Sequence, residues 1–166
     1  HLIDGAGDRA DHCGEIHTRL GQLQSGMDFT TVVSQVSRYI NEMETYFVLE
    51  TLDNLRKNGR LTRVQSLVTS TLHIKLLMGA TPEGEICKKG QAMSIKQALS
   101  KMVSLMAADP KHEGRRLSIV HCNCLERAFH VKELVMKQCR FGEILISDTG
   151  GISTVYANDG GIVVAY

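Results

Sequence analysis

His121-Cys122-Asn123-Cys124 places an imidazole and two thiols within four positions, the side chains that zinc binding and nucleophilic catalysis draw on. A structural zinc needs four ligands, yet no second pair stands at ligand spacing, and Cys139 is the only later cysteine. Adjacent residues on a strand point to opposite faces, which separates His121 as a base from Cys122 as a nucleophile. The run therefore reads as an ordinary strand end and helix start. Asp148-Thr149-Gly150-Gly151 carries one carboxylate on a glycine loop. An acid dyad needs two carboxylates sharing a proton, and no second such loop exists, so a turn is predicted. No phosphate-cradling glycine loop, HExxH or GxSxG occurs. His12, His17, His112 and His130 have no partner set by spacing and read as surface or capping residues. No catalytic residue, metal or cofactor is predicted.

The charged residues that stand out are Arg60 and Arg63. A guanidinium presents a fork of five donors suited to carboxylate or phosphate. Arg60 is expected first to brace the turn beside it through backbone carbonyls, and both arginines could also meet a ligand or a partner. His73, just ahead of an apolar strand, could face the mouth of a pocket.

The elements that must position these residues run from Tyr46 to Leu77. Tyr46 to Leu49 suits a buried strand, and Leu52 and Leu55 share one face of a short helix. Asn58-Gly59 stops it, because glycine takes positive φ without steric cost. Thr62 is expected to cap a helix carrying Val64, Leu67 and Val68, and His73 to Met78 reads as another inner strand.

Balanced charge narrows the function classes. Nineteen Lys and Arg stand against 18 Asp and Glu, a formal net charge of +1, which gives no concentrated basic face for nucleic acid. The adjacent pairs Lys88-Lys89 and Arg115-Arg116 read as solvated surface. A hydrophobic fraction of 43% supports a true core, mainly aliphatic, since there is no tryptophan. No segment approaches the roughly 18 apolar residues of a membrane span, and the opening residues lack the order of a secretory signal. Five scattered cysteines, an odd number, read as reduced cytoplasmic thiols. Leu2-Ile3-Asp4 resembles a clipped strand end, so a piece of a longer protein is expected.

Along the chain, Glu15 to Gln24 is predicted helical, with Ile16, Leu20 and Leu23 on one side. Asp28 is expected to cap a second helix whose buried stripe is Val32, Val33, Val36, Ile40 and Met43. Beyond the Thr81-Pro82-Glu83-Gly84 turn, Ile74 to Met78 and Glu85 to Lys88 are expected to pair as a hairpin. Ser94 caps a helix with Ile95, Ala98, Leu99, Met102, Val103 and Met106, stopped by Asp109-Pro110. Strands are predicted at Leu117 to His121, Glu143 to Ser147 and Ile162 to Tyr166. A helix over Leu125 to Gln138 should turn Leu125, Ala128, Val131 or Lys132, and Val135 inward. The expected fold is a two-layer or sandwich α/β domain with a mixed sheet, preceded by an αα-hairpin. Residues 1–45 would be linking helices and 46–166 the C-terminal α/β domain.

Leu52, Leu55, Lys57, Gly59, Arg60, Leu61, Thr62 and Arg63, followed by Ile74 and Lys75, resemble the signature of the DegV-like fatty-acid-binding family. Leu76 departs from it, standing where that family usually has proline. In the tail, Ala157 matches the alanine of the family's Gly-Ala-His-Thr-Gly-Pro-Gly run and Asn158 takes the histidine position. Asp159-Gly160-Gly161 is a shortened version of the rest of that run. Gln91-Ala92-Met93-Ser94 stands where the family has a basic run.

The resemblance implies a non-catalytic carrier that holds one long-chain fatty acid between two α/β domains and presents it to a fatty-acid kinase subunit. This chain would then be the second domain, and its partner the missing N-terminal domain. Arg60, Arg63, His73 and Asn158 are the ligand-binding candidates. Asparagine can donate a hydrogen bond but carries no positive charge, unlike the histidine it replaces. The alternative expectation is a non-catalytic regulatory or interaction domain that has lost lipid binding.

Overall fold

The computed structural model describes residues 26, 28–61 and 74–166. Asp28 opens the first described helix, α1 (Phe29–Glu42), by accepting the Thr31 N–H at 3.0 Å, as its residue type predicts. Strand β1 (Thr45–Val48) follows, then a short helix α2 (Asp53–Lys57) that ends where Gly59 turns to φ 68°. Strands β2 (Lys75–Ala80) and β3 (Ile86–Ala92) form the expected hairpin, longer than predicted and with a register shift at Leu77/Met78. Ser94 caps α3 (Ile95–Ala108) by accepting the Gln97 N–H. The rest of the chain runs β4 (Arg116–His121), α4 (Leu125–Gln138), β5 (Glu143–Asp148), α5 (Ile152–Ala157) and β6 (Ile162–Ala165).

The described strands join in one mixed sheet, in the order β3-β2-β1-β6-β4-β5. The pairing β4–β5 is parallel and the rest are antiparallel. Both faces are covered. Tyr46, Val48, Leu117, Ile119, Ile162 and Val164 face the apolar stripes of α3 and α4, which supply Leu99, Met102, Met106, Val131 and Val135. The alternate residues, Phe47, Val120 and Val163, face the other way, against Leu52 and Leu55 beside and on α2, Leu61, and Ala157 at the end of α5. This alternation is the period-2 geometry of a strand, and it explains why the β1 and β6 runs are apolar throughout.

Three expectations change. Of the α1 stripe only Val32 is buried, and Val33 and Ile40 are exposed. The helix is tied to the sheet at its C-terminal end, by Arg115 to the Glu42 carboxylate at 2.9 Å and by backbone pairing of Glu44 with Tyr166. Its first turns carry Phe29 into solvent. Leu125 is half-exposed rather than inward, because it lies about a quarter-turn round α4 from the line of Ala128, Val131 and Val135. Helix α5, after the Asp148–Gly151 turn, has no counterpart in the sequence reading. The helix expected at Glu15 to Gln24, the first of the αα-hairpin, and the helix capped by Thr62 lie outside the described residues.

Candidate functional site at the strand ends

The antiparallel pairings bring together the end of β1, the beginnings of β2 and β6, and the end of β4. Its parallel partner β5 ends there too. The loops leaving these ends carry a connected polar network. Glu50, just past β1, accepts Lys75 Nζ at 2.7 Å on one carboxylate oxygen and Arg127 Nη2 at 2.9 Å on the other. Lys75 also donates to the Glu50 carbonyl at 2.9 Å, and Arg127 Nη1 donates to the Gly160 carbonyl. Partial burial alone would raise the Glu50 pKa. The hydrogen bonds and charges of Lys75 and Arg127 outweigh that and hold it below the ordinary carboxylate value.

Beside this triad lies a chain of amides. Asn54 on α2 donates through Nδ2 to the Val155 carbonyl at 2.6 Å and to Asn158 Oδ1 at 2.7 Å, joining α2 to α5. Asn158 caps α5 at φ 57°, ψ 170°. Its own Nδ2 donates to the carbonyls of Tyr156 at 3.2 Å and Thr51 at 3.4 Å. Asn123 takes φ 51° at the end of β4 and donates to Asp159 at 2.9 Å. Asparagine takes positive φ more readily than most non-glycine residues, and two of them close the loops at one end of the sheet. On the solvent side of α5, Ile152 and Val155 stand exposed beside the amide chain, an apolar step next to polar donors.

Of the four predicted site residues, Arg60 and Asn158 are among the described residues. Arg60 sits at the turn after α2, where its backbone N–H donates to the Leu55 carbonyl at 2.8 Å. Its Nε is buried with no hydrogen-bond partner among the described residues, so Nε makes none of the bracing contacts expected of it there. Asn158 lies in the network, with its amide engaged inside the fold. Arg63 and His73 lie outside the described residues. Sequence reading missed Glu50, Asn54 and Arg127. Glu50 is 25 residues from Lys75 and 77 from Arg127, and no local pattern announces such pairings.

The His-Cys cluster is also settled locally. His121 is buried, with Nδ1 3.4 Å from exposed Asp148 and at the same distance from the Cys124 N–H that opens α4. Burial pushes the Cys124 thiol up, and Arg127 only partly offsets it, the opposite of the lowered pKa that a thiol nucleophile needs. The described cysteines, Cys87, Cys122, Cys124 and Cys139, are free thiols. Among the described residues no cluster of His, Cys, Asp and Glu could hold a metal, and no helix is long and apolar enough to cross a membrane. An open groove of about 310 Å³ runs along α1, lined by Thr30, Thr31, Ser34, Gln35 and Arg38, and shares no residue with the strand-end network.

A mixed sheet with helices packed on both faces defines an α/β protein. Residues 21–166 match the DegV family model, and the chain belongs to that family. Over 92% of its length it is 50% identical to a DegV-family protein from Ruminococcus gnavus refined with vaccenic acid, with a TM-score of 0.83 and 54% of that chain covered. The fatty acid kinase B3 protein of Streptococcus pneumoniae, loaded with linoleic acid, shares the fold. That match has 24% identity and a TM-score of 0.76, and it covers 92% of this chain and 54% of that one. A DegV domain-containing protein of Streptococcus pyogenes serotype M1 is 29% identical over 168 residues. That alignment takes in 100% of this chain but 59% of the relative, so the chain spans little more than half the length of such proteins.

Proposed function

We propose that this chain is the C-terminal part of a two-domain, non-catalytic fatty-acid carrier. Residues 1–45 would link the domains, and 46–166 would form one wall of a site whose other wall is the N-terminal domain. The observation that carries this reading is the 50% identity, over 92% of the chain, to a protein refined with vaccenic acid. The physical arrangement at the strand ends supports it. Ile152 and Val155 offer apolar surface for an acyl tail, whose burial contributes about 0.8 kcal/mol per CH₂. A carboxylate then needs only a few placed donors to fix its orientation. Arg60, Arg63, His73 and Asn158 are the proposed head-group residues. Arg60 is the strongest of them, because its buried Nε is an uncommitted donor among the described residues, whereas the Asn158 amide is already engaged. The proposed partner is a fatty-acid kinase subunit, which would supply the ATP chemistry.

Organic extraction of the purified full-length protein, followed by mass spectrometry, should release a long-chain fatty acid. Arg60→Ala should weaken vaccenic-acid binding roughly tenfold or more, as expected for loss of a charged hydrogen bond, while the melting temperature stays near that of the parent. Unchanged affinity in a folded R60A protein would remove Arg60 as the anchor. The internal engagement of Asn158 favours one second reading, a regulatory or interaction domain without lipid. Full-length protein that neither carries nor binds fatty acid would establish that alternative.

A further inference from the structure

We propose that Arg127 is a positioning residue. Its guanidinium pins the turn between α5 and β6 to Glu50 and thereby sets the place of the Asn158 and Asn54 amides at the site. The two arms of the fork go to different elements. Nη2 meets the Glu50 carboxylate at 2.9 Å beyond β1, and Nη1 meets the Gly160 carbonyl ahead of β6. Glu50 is held in turn by Lys75 on β2, at 2.7 Å from its other oxygen. One side chain from the first turn of α4 thus ties together parts of the chain that are distant in sequence.

The turn is shaped for this contact. Gly160 takes φ 81°, and a Cβ built there would stand 2.8 Å from Arg127 Nη1 and 3.1 Å from Glu50 Cγ. Glycine is what lets the guanidinium lie against the backbone. The Gly160 N–H donates to the Cys122 carbonyl at 2.9 Å, and the Gly161 N–H donates back to the Asn158 carbonyl at 3.2 Å. A shift of Gly160 therefore moves Asn158, whose side chain holds α2 through Asn54. Lysine could not replace Arg127 here, because one ammonium on a flexible stem does not present two donors in a fixed fork.

For the turn itself the proposal stands on geometry alone, and for the ligand it rests on the carrier reading. The test has one arm for each. Amide hydrogen exchange is measured by NMR on the full chain without lipid, for the parent, R127M and R127K. Exchange at Gly160 and Gly161 should quicken by about tenfold in both variants, while core amides of β4 keep their protection. Unchanged exchange at the turn, or equal acceleration throughout the chain, overturns the proposal. Should R127M not fold, E50Q is measured instead. It should quicken turn exchange by about threefold, and no change there overturns the proposal equally. In the second arm, vaccenic acid is titrated by calorimetry. R127M and R127K should each lose about tenfold in affinity, or 1.4 kcal/mol. Parent affinity in a variant whose turn has loosened overturns the link to the ligand. Absence of binding by the parent overturns the carrier reading and leaves the exchange result to decide the latch.

Discussion

Strand β6 has two unlike ends. At its beginning, Gly160 and Gly161 lead in from a turn surrounded by Glu50, Lys75, Arg127 and two left-handed asparagines. At its close, Tyr166 is wholly buried, stacked at 6.3 Å on Tyr46 and edge-on to Phe141 at 5.2 Å. Its hydroxyl donates to Asp109 at 3.3 Å, and its backbone pairs with Glu44. The aromatic end is buried and held mainly by packing. The charged end is partly wet, and its order rests on directional contacts between loops. Such contacts can present donors to a ligand, and they can also be loosened one at a time. The same strand joins a packed aromatic end to a charged, hydrogen-bonded one.

The largest way to break this contrast is Gly161→Ala. A Cβ there would stand 2.4 Å from the Ala157 carbonyl oxygen and 3.0 Å from Leu49, and the first of these is backbone. We expect a loss of about 3 kcal/mol or more in urea denaturation, since a rigid neighbour cannot relax the overlap. A near-neutral result would mean that the turn has slack, and the charged end would then be no more tightly specified than a surface loop.

A second test sets the two ends against each other by pH. The Glu50 pKa is lowered in the fold, so the stability it contributes is complete above its ordinary value of 4.5 and is lost as pH falls through the folded value. Burial raises the Tyr46 phenol, although its hydrogen bond with Tyr166 partly offsets this. Burial also raises the Tyr166 phenol, and Tyr46 and Asp109 add to the shift. The stability these phenols contribute is complete below pH 10 and is lost as pH climbs beyond it. Amide exchange should therefore loosen the Gly160 turn first in acid and the Tyr166 end first in alkali. E50Q should flatten the acid limb and leave the alkaline one alone. Simultaneous loosening of both ends would erase the distinction.

These two ends differ just as much in how far they could be read from the sequence. The apolar runs of β1 and β6 and the stripes of α3 and α4 were legible, because burial on both faces or on one imposes a period that local residues display. Asp28 and Ser94 marked the starts of their helices by capping chemistry. Helix α5 was not legible. Ile152-Ser-Thr-Val-Tyr-Ala is short, rich in β-branched residues and preceded by two glycines, and packing of Ala157 against the sheet overrides that weak preference. Of the site, Arg60 and Asn158 were picked out by type and by resemblance. The triad was hidden because Glu50, Lys75 and Arg127 meet only once the strand order is fixed, and strand order is not a local property of the chain.

The smallest expected effect belongs midway between the ends. Ser118 on β4 is fully buried, beside Ala165 in register, and its Oγ has no hydrogen-bond partner among the described residues. Ser118→Ala should be neutral or stabilising by up to about 1 kcal/mol in thermal or urea melts, since it removes a buried hydroxyl with little loss of contact. A clear destabilisation would show that the hydroxyl has a partner, and that the face opposite α3 and α4 is more polar than its apolar residues suggest.

The position of β6 also has a consequence for the order of assembly. It comes after every other described strand in the chain, yet it lies between β1 and β4 and pairs with both. Until it arrives, β1-β2-β3 and β4-β5 are two separate sheets, each with an open edge where β6 belongs. During synthesis from the N-terminus, those edges wait for β6, exposed to other chains as pairing templates. The β1–β6 pairing also spans most of the chain, and such distant contacts slow folding. The strand that runs from the charged end to the aromatic end is thus the bolt that first makes the sheet one piece.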